Sequence, residues 1–134
     1  EAAFVSNFYM TPDMVRTLAR RGMVGSHAAS HRPLAQLTSA DMERELVVSK
    51  RGLEDMTGLP ITALSYPLGS ARAVSRSVAD AAARAGYVAA WTMECARNET
   101  LVDSLLFARI NANDVPSLES IGPRSRYCSE GVFG

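Results

Sequence analysis

Two histidines, His27 and His31, stand four residues apart in the stretch Gly25-Ser26-His27-Ala28-Ala29-Ser30-His31-Arg32-Pro33. Neutral imidazoles at that spacing lie within about one helical turn of each other and can grip one divalent ion, zinc or a related first-row metal. The competing reading is two surface histidines on a turn, because a two-histidine match is a weak motif by itself. The chain has only 2 histidines. A mechanism that needs two metal histidines and a third, catalytic one cannot be completed within it.

Ser65-Tyr66-Pro67-Leu68-Gly69 is the second candidate. Pro67 and Gly69 fix a turn that can present backbone N–H groups outward, and an oxyanion site needs fixed donors of that kind. An ordinary strand-to-helix turn would read the same way. Arg109, in or at the end of an otherwise apolar strand, is the third. A guanidinium there needs an acidic partner or an outlet to a polar cleft; the alternative is that it faces solvent at a barrel rim. Cys95 and Cys128 allow one disulfide without demanding it, and they lack the CxxC spacing of a zinc or redox site. Tyr87 and Trp91 read as core residues rather than sugar-stacking platforms. Arg124, Arg126 and Tyr127 make a small basic patch or a solvated tail. No GxGxxG, GxxxxGK[ST] or GxSxG segment is present, so phosphate-loop and serine-hydrolase chemistry have no motif support.

The elements that must position these residues alternate along the chain. Residues 2–6 read as a buried strand. Thr11 suits an N-cap, Pro12 the first helical position and Asp13 the positive end of the helix dipole. Met14, Val15 and Leu18 form the apolar stripe of that helix, and Arg20-Arg21-Gly22 closes it. Residues 23–26 read as a second strand leading into His27. Thr38, with Asp41 three positions on, opens a long helix in a capping-box arrangement. Met42, Leu46, Ser49, Leu53 and Met56 line its inner face, while Glu43, Arg44, Glu45, Lys50, Arg51 and Glu54 are expected in solvent. Gly58 and Pro60 stop it. A third strand over 61–65 ends at the Tyr-Pro-Leu-Gly turn. A helix from about 73 to 85, a strand over 87–92, a strand over 106–110 and a short helix over 116–121 follow. Strands alternating with helices predict an α/β fold with a mostly parallel sheet or barrel, whose ligands gather at the carboxyl ends of the strands.

The composition excludes several classes. Among 134 residues, 14 Lys and Arg balance 14 Asp and Glu, giving a net charge of zero. There is no excess of basic charge for a nucleic-acid backbone. At 47% hydrophobic residues the chain is a globular one, and a single domain over 1–134 buries roughly two-thirds of its unfolded surface. No apolar run approaches the roughly 18 residues of a membrane span. The first residue is Glu1 and no signal-peptide pattern is seen, so a processed, excised or incomplete piece is expected.

Taken in order, the stretch from Gly25 to Gly69 resembles the NodB-homology polysaccharide deacetylases, carbohydrate esterase family 4. The shared pieces are a strand into two spaced histidines, a leucine-bearing helix opened by Leu37-Thr38 and carrying Ser49-Lys50, the turn Thr57-Gly58-Leu59-Pro60, and a strand ending in Tyr66-Pro67-Leu68-Gly69. Ala85-Gly86-Tyr87 and Arg109-Ile110 continue it, over roughly residues 2 to 114. The resemblance implies a partial, distorted (β/α) barrel of the NodB-homology type. It implies metal-dependent hydrolytic N-deacetylation of an N-acetylated glycan or amino sugar, with His27 and His31 as ligands of a divalent metal, zinc first. Leu68 takes the position of a backbone oxyanion donor, Tyr66 and Pro67 shape the groove beside it, and Arg109 matches an arginine near the catalytic carboxylate. An extracellular or cell-envelope location also follows from the resemblance, with an N-acetylated glycan or amino sugar as the partner; that no nucleic acid is bound and no membrane spanned is expected from the charge balance and the apolar runs above.

The departures matter equally. The family's Thr-Phe-Asp-Asp motif, which supplies a third metal ligand and an aspartate base, has no counterpart here, so the domain is expected to be N-terminally incomplete. Ala28 stands where a Ser or Thr is usual, which removes a hydroxyl beside the metal ligand. Leu68 replaces an aromatic, and the Leu-x-His motif is absent, as it often is in the Tyr-Pro-x-Gly branch. These differences keep a non-catalytic glycan-binding or regulatory relative as the alternative.

Overall fold

A computed structural model describes residues 9–110. Within them the order is α1 (Pro12–Ala19), a 3₁₀ turn (Leu34–Gln36), α2 (Ser39–Thr57), β1 (Ala63–Ser65), α3 (Arg76–Arg84) and β2 (Ala89–Trp91). The strand expected over 2–6, the helix over 116–121, Cys128 and the Arg124–Tyr127 patch lie outside the described residues. No described helix is long and apolar enough to cross a membrane.

Local chemistry sets the helices. The Thr11 hydroxyl accepts from Met14 N at 3.3 Å, with Pro12 in the first turn. Gly22, at φ 69°, then lets Met23 N reach back to Leu18 O at 3.1 Å, a Schellman closure. Thr38 caps α2 by accepting from Asp41 N at 3.2 Å, and its hydroxyl donates to the Asp41 carboxylate at 3.0 Å. Gly58, left-handed at φ 69°, ends α2 with its N–H on Glu54 O. α3 starts later than the periodicity suggests. Ala73 and Val74 sit in a turn on Ser70 O, and Ser75 is the cap that accepts from Val78 N.

The sheet is parallel. Ala63, Leu64 and Ser65 of β1 pair with Ala89, Ala90 and Trp91 of β2. Single bridges extend it on both sides, Ser26 to Leu64 and Phe107 to Trp91. The four segments thus form a parallel arc in the order Ser26, β1, β2, Phe107, an α/β arrangement of the partial, distorted barrel type.

Two expected strands shrink to those bridges, each for a visible reason. Met23 gives its N–H to the end of α1, so only Ser26, through Ser26 N to Ala63 O and Ser65 N to Ser26 O, joins the sheet. After Phe107 the side chain of Asn98 takes both main-chain groups of Ala108, at 2.9 and 2.8 Å, and so substitutes for a further strand partner. Pro67, which has no N–H, limits β1 at its other end.

The core lies between this arc and the helices. Leu64 and Ala90, central in the two strands, share one cluster with Leu34, Met42, Leu46, Val78, Ala81 and Tyr87. Each fully buried Leu or Val there contributes about 1.5–3 kcal/mol of burial. α1 differs, since none of its residues is buried and Met14 is largely exposed. Its tether is Arg16, whose Nε donates to Met56 O at the end of α2. Met56 likewise lies at the surface rather than on the inner face. Lys50, expected in solvent, is tucked in. Its ammonium donates to Glu54 and to Ile61 O and sits 5.3 Å from the centre of the Tyr87 ring.

At Gly69, φ is +56° and a Cβ would lie 2.6 Å from Met93 N. The turn after β1 therefore touches the chain leaving β2 with no side chain between, and Met93 N donates to Gly69 O at 2.8 Å.

Two stability outcomes follow. In urea unfolding, Leu46→Ala costs about 2–5 kcal/mol, whereas Met14→Ala changes the unfolding free energy by less than about 0.5 kcal/mol. Thermal melts separate two of the left-handed glycines, Gly58 and Gly69. Gly58→Ala, with open space around it, costs about 1–2 kcal/mol, and Gly69→Ala costs clearly more because the Met93 main chain must also move.

Candidate metal and acyl-transfer site

The parallel register brings the ends of three segments together. Ser26 is buried and paired with β1, so His27 leaves the sheet beside Ser65. His27 Nδ1 lies 2.6 Å from Ser65 O. A carbonyl oxygen can only accept, so Nδ1 carries the proton and Nε2 keeps its lone pair. That is the tautomer ligation through Nε2 requires, held by a partner of the kind that usually orients a ligating histidine. The His31 ring stands edge-on to it, 4.9 Å away between centroids at 66°. Both rings are exposed.

The loop joining them takes two left-handed residues that are not glycine, Ala28 at φ 59° and His31 at φ 58°. Such conformations cost about 1–3 kcal/mol each and persist where surroundings enforce them. The enforcing group is Glu45 of α2. Its side chain, expected in solvent, belongs to a residue only 6% exposed. One carboxylate oxygen accepts from Ala29 N at 3.0 Å and Ser30 N at 2.8 Å, and the other accepts from the Ser30 hydroxyl at 2.6 Å. The Ser30 hydroxyl, helped by the two N–H groups and the Arg32 charge, holds the Glu45 carboxyl below the usual range against the opposing effect of burial. The stabilisation from this ionised form is complete above the ordinary carboxylate value and is lost as pH falls through the lowered one. The signal was in the spacing. Glu45 sits three residues after Met42 and four before Ser49, within the apolar stripe itself.

Leu68 is the third left-handed non-glycine residue, at φ 59°, and is exposed. Its N–H donates to no described residue, while Gly69 N folds back on Pro67 O at 2.6 Å. Pro67 is buried under the turn. Tyr66, expected beside the groove, is fully buried in the core. Its hydroxyl donates to Leu105 O at 2.8 Å, and burial raises its pKa above the ordinary phenol value. It reaches the site only through its main chain.

Arg109 settles between the two alternatives left by its sequence. It is half-buried and turned into a cleft, with Nη1 donating to Ser65 Oγ at 2.8 Å and Nη2 to Met93 Sδ at 2.7 Å. That cleft, about 610 Å³, is lined by Met23, Ser26, His27, Ser65, Trp91 and Arg109. Of the two aromatics read as core, Tyr87 is buried with its hydroxyl on Leu46 O. Trp91 is instead half-buried on the cleft wall, tilted against Phe107 at 5.9 Å. Ser65 had no expected role, yet its carbonyl orients His27 and its hydroxyl receives Arg109. Cys95 is exposed and makes no part of the site. Among the described residues no set of three His, Cys, Asp or Glu side chains converges as a metal site.

Comparisons with known proteins bear on the fold and the family. No curated protein matches the chain. A polysaccharide deacetylase structure from Bacillus cereus is similar at 27% identity, over 75% of this chain and 32% of that one, with a TM-score of 0.62. A Streptococcus pyogenes deacetylase in complex with acetate shares the fold at 22% identity, TM-score 0.69, over 81% of this chain and 47% of that one. A deacetylase domain from Bordetella bronchiseptica does so at 22% identity and TM-score 0.64, over 78% and 49%. The chain thus spans between about a third and a half of the length of these structures. The family model described as polysaccharide deacetylase matches residues 3–90. That span takes in both histidines, Glu45 and the turn after β1, and on it the chain belongs to the polysaccharide deacetylase family.

Proposed function

We propose that this chain carries the histidine pair and acyl-binding turn of a metal-dependent hydrolase that removes the acetyl group from an N-acetylated carbohydrate. The observation that supports it most is the 2.6 Å approach of His27 Nδ1 to Ser65 O. With Nδ1–H on Ser65 O, His27 offers Nε2 next to the His31 ring. The two imidazoles suit a divalent ion, zinc before others, and would hold it. When bound, such an ion lowers the pKa of water and polarises a carbonyl. The third ligand and the general base would be carboxylates that the described residues do not bring to this point.

The remaining roles fall to groups of this chain. The free N–H of Leu68 is a fixed donor for oxygen that gains negative charge as the amide carbon becomes tetrahedral. Arg109 places positive charge on the cleft wall and keeps Ser65 in place. Trp91 offers a flat apolar face suited to a sugar ring. In the overall hydrolysis the water oxygen bonds to the acetyl carbon, the carbon–nitrogen bond breaks, and acetate and the free amino sugar leave. An extracellular or cell-envelope setting is part of this proposal.

The half-open aromatic wall at Trp91, with Ala28 lacking the usual hydroxyl, favours one second reading, a relative that binds glycan without turnover. Acetate release from N-acetylglucosamine oligomers by the intact protein decides between them. With zinc supplied, acetate appears, and His27→Ala or His31→Ala each lower the rate by at least about 100-fold; a chelator does the same. No acetate with the metal demonstrably bound, together with glycan affinity unchanged in both variants, would establish the second reading. The 134-residue chain alone, with two candidate ligands among its described residues where catalytic zinc sites have three, binds zinc weakly in calorimetry. A submicromolar dissociation constant would contradict that.

A further inference from the structure

We infer that Glu45 is the positioning residue that holds His31 in register with His27. The inference rests on the reading of the two histidines as metal ligands. From His27 to Arg32 the described main chain makes no backbone–backbone hydrogen bond. The anchor of this loop is the Glu45 carboxylate, through Ala29 N, Ser30 N and the Ser30 hydroxyl. It grips the two residues that lie between the left-handed turns at Ala28 and His31. The carboxylate comes from a rigid element, because Met42 and Leu46 on the same helix face are buried in the core. α2 is also fastened to the strand end by the Ser26–Ser49 hydroxyl pair at 2.8 Å. His27 has a separate anchor in Ser65 O. The two rings are therefore oriented by different parts of the fold, His27 by the sheet and His31 by α2.

That separation makes the test selective. In the full chain without metal, aromatic ¹H–¹³C spectra of Glu45→Ala show the His31 ring signal displaced and the His27 signal unmoved. Titration with zinc chloride shifts both rings in the wild type, and Glu45→Ala weakens the apparent affinity by about tenfold, the loss typical of an orienting partner. Glu45→Gln keeps an oxygen for the two N–H groups and recovers most of that loss, which a change of charge alone would not allow. A Glu45→Ala protein that is folded by circular dichroism, with the His31 signal and zinc affinity of the wild type, overturns the inference. If that variant does not fold, Ser30→Ala, which removes only the hydroxyl contact, takes its place with the same two signals read in the same way. If zinc shifts neither ring in the wild type, the metal reading fails, and selective displacement of His31 in the variant upholds the positioning role by itself.

Discussion

The parallel pairing around β1 is the constraint on which the site depends. A parallel ladder aligns like ends of neighbouring strands, so the last residues of the Ser26 segment, β1 and β2 emerge together. His27, the Tyr-Pro-Leu-Gly turn and the Trp91–Met93 exit all follow from that alignment. The pairing is short, three residues in the ladder with a single bridge on either side. It is kept in register by Leu64 and Ala90 in the core and by the Gly69–Met93 main-chain contact. A shift of one residue would turn Leu64 toward the cleft and take the Ser65 carbonyl away from His27.

Against that ordered base, the site itself is built from unfavourable backbone. Among the described residues, the three non-glycine residues with positive φ, Ala28, His31 and Leu68, all belong to the proposed metal loop and acyl turn. Each is opposed by a specific compensation. Glu45 fixes the histidine loop, and buried Pro67 with Gly69 fixes the turn. A rigid helix supplies the first compensation and the turn's own residues supply the second, leaving both rings exposed and the Leu68 N–H with no described acceptor.

What was legible in the sequence was what is local. Thr38 with Asp41, Gly58 after α2, and Thr11-Pro12 before α1 describe their own helix ends, and the structure places them there. The ordered histidine and Tyr-Pro-Leu-Gly segments, read as a resemblance, led to the family. Strand lengths were less legible, because a strand ends where its partner does. Met23 is taken by the closure of α1 five residues back and Ala108 by the Asn98 side chain ten residues back, contacts that an apolar strand pattern does not signal. Charge misled at Glu45 and Lys50, which were read as solvated because they ionise. Both are half or fully enclosed because backbone groups and, for Lys50, an aromatic face replace water. Tyr66 shows the converse limit, since a hydroxyl partner 39 residues away draws its ring into the core.

Ser65 serves His27 with its carbonyl and Arg109 with its hydroxyl. The first of these belongs to the main chain and survives any side chain that leaves β1 intact. In evolutionary terms, the two dependencies can drift apart. A substitution of Ser65 that leaves β1 intact would keep an oriented His27 while freeing this contact of Arg109 for another partner, such as a carboxylate. Position 65 is then a place where a family can exchange its arginine's partner without disturbing the histidine that the same residue orients.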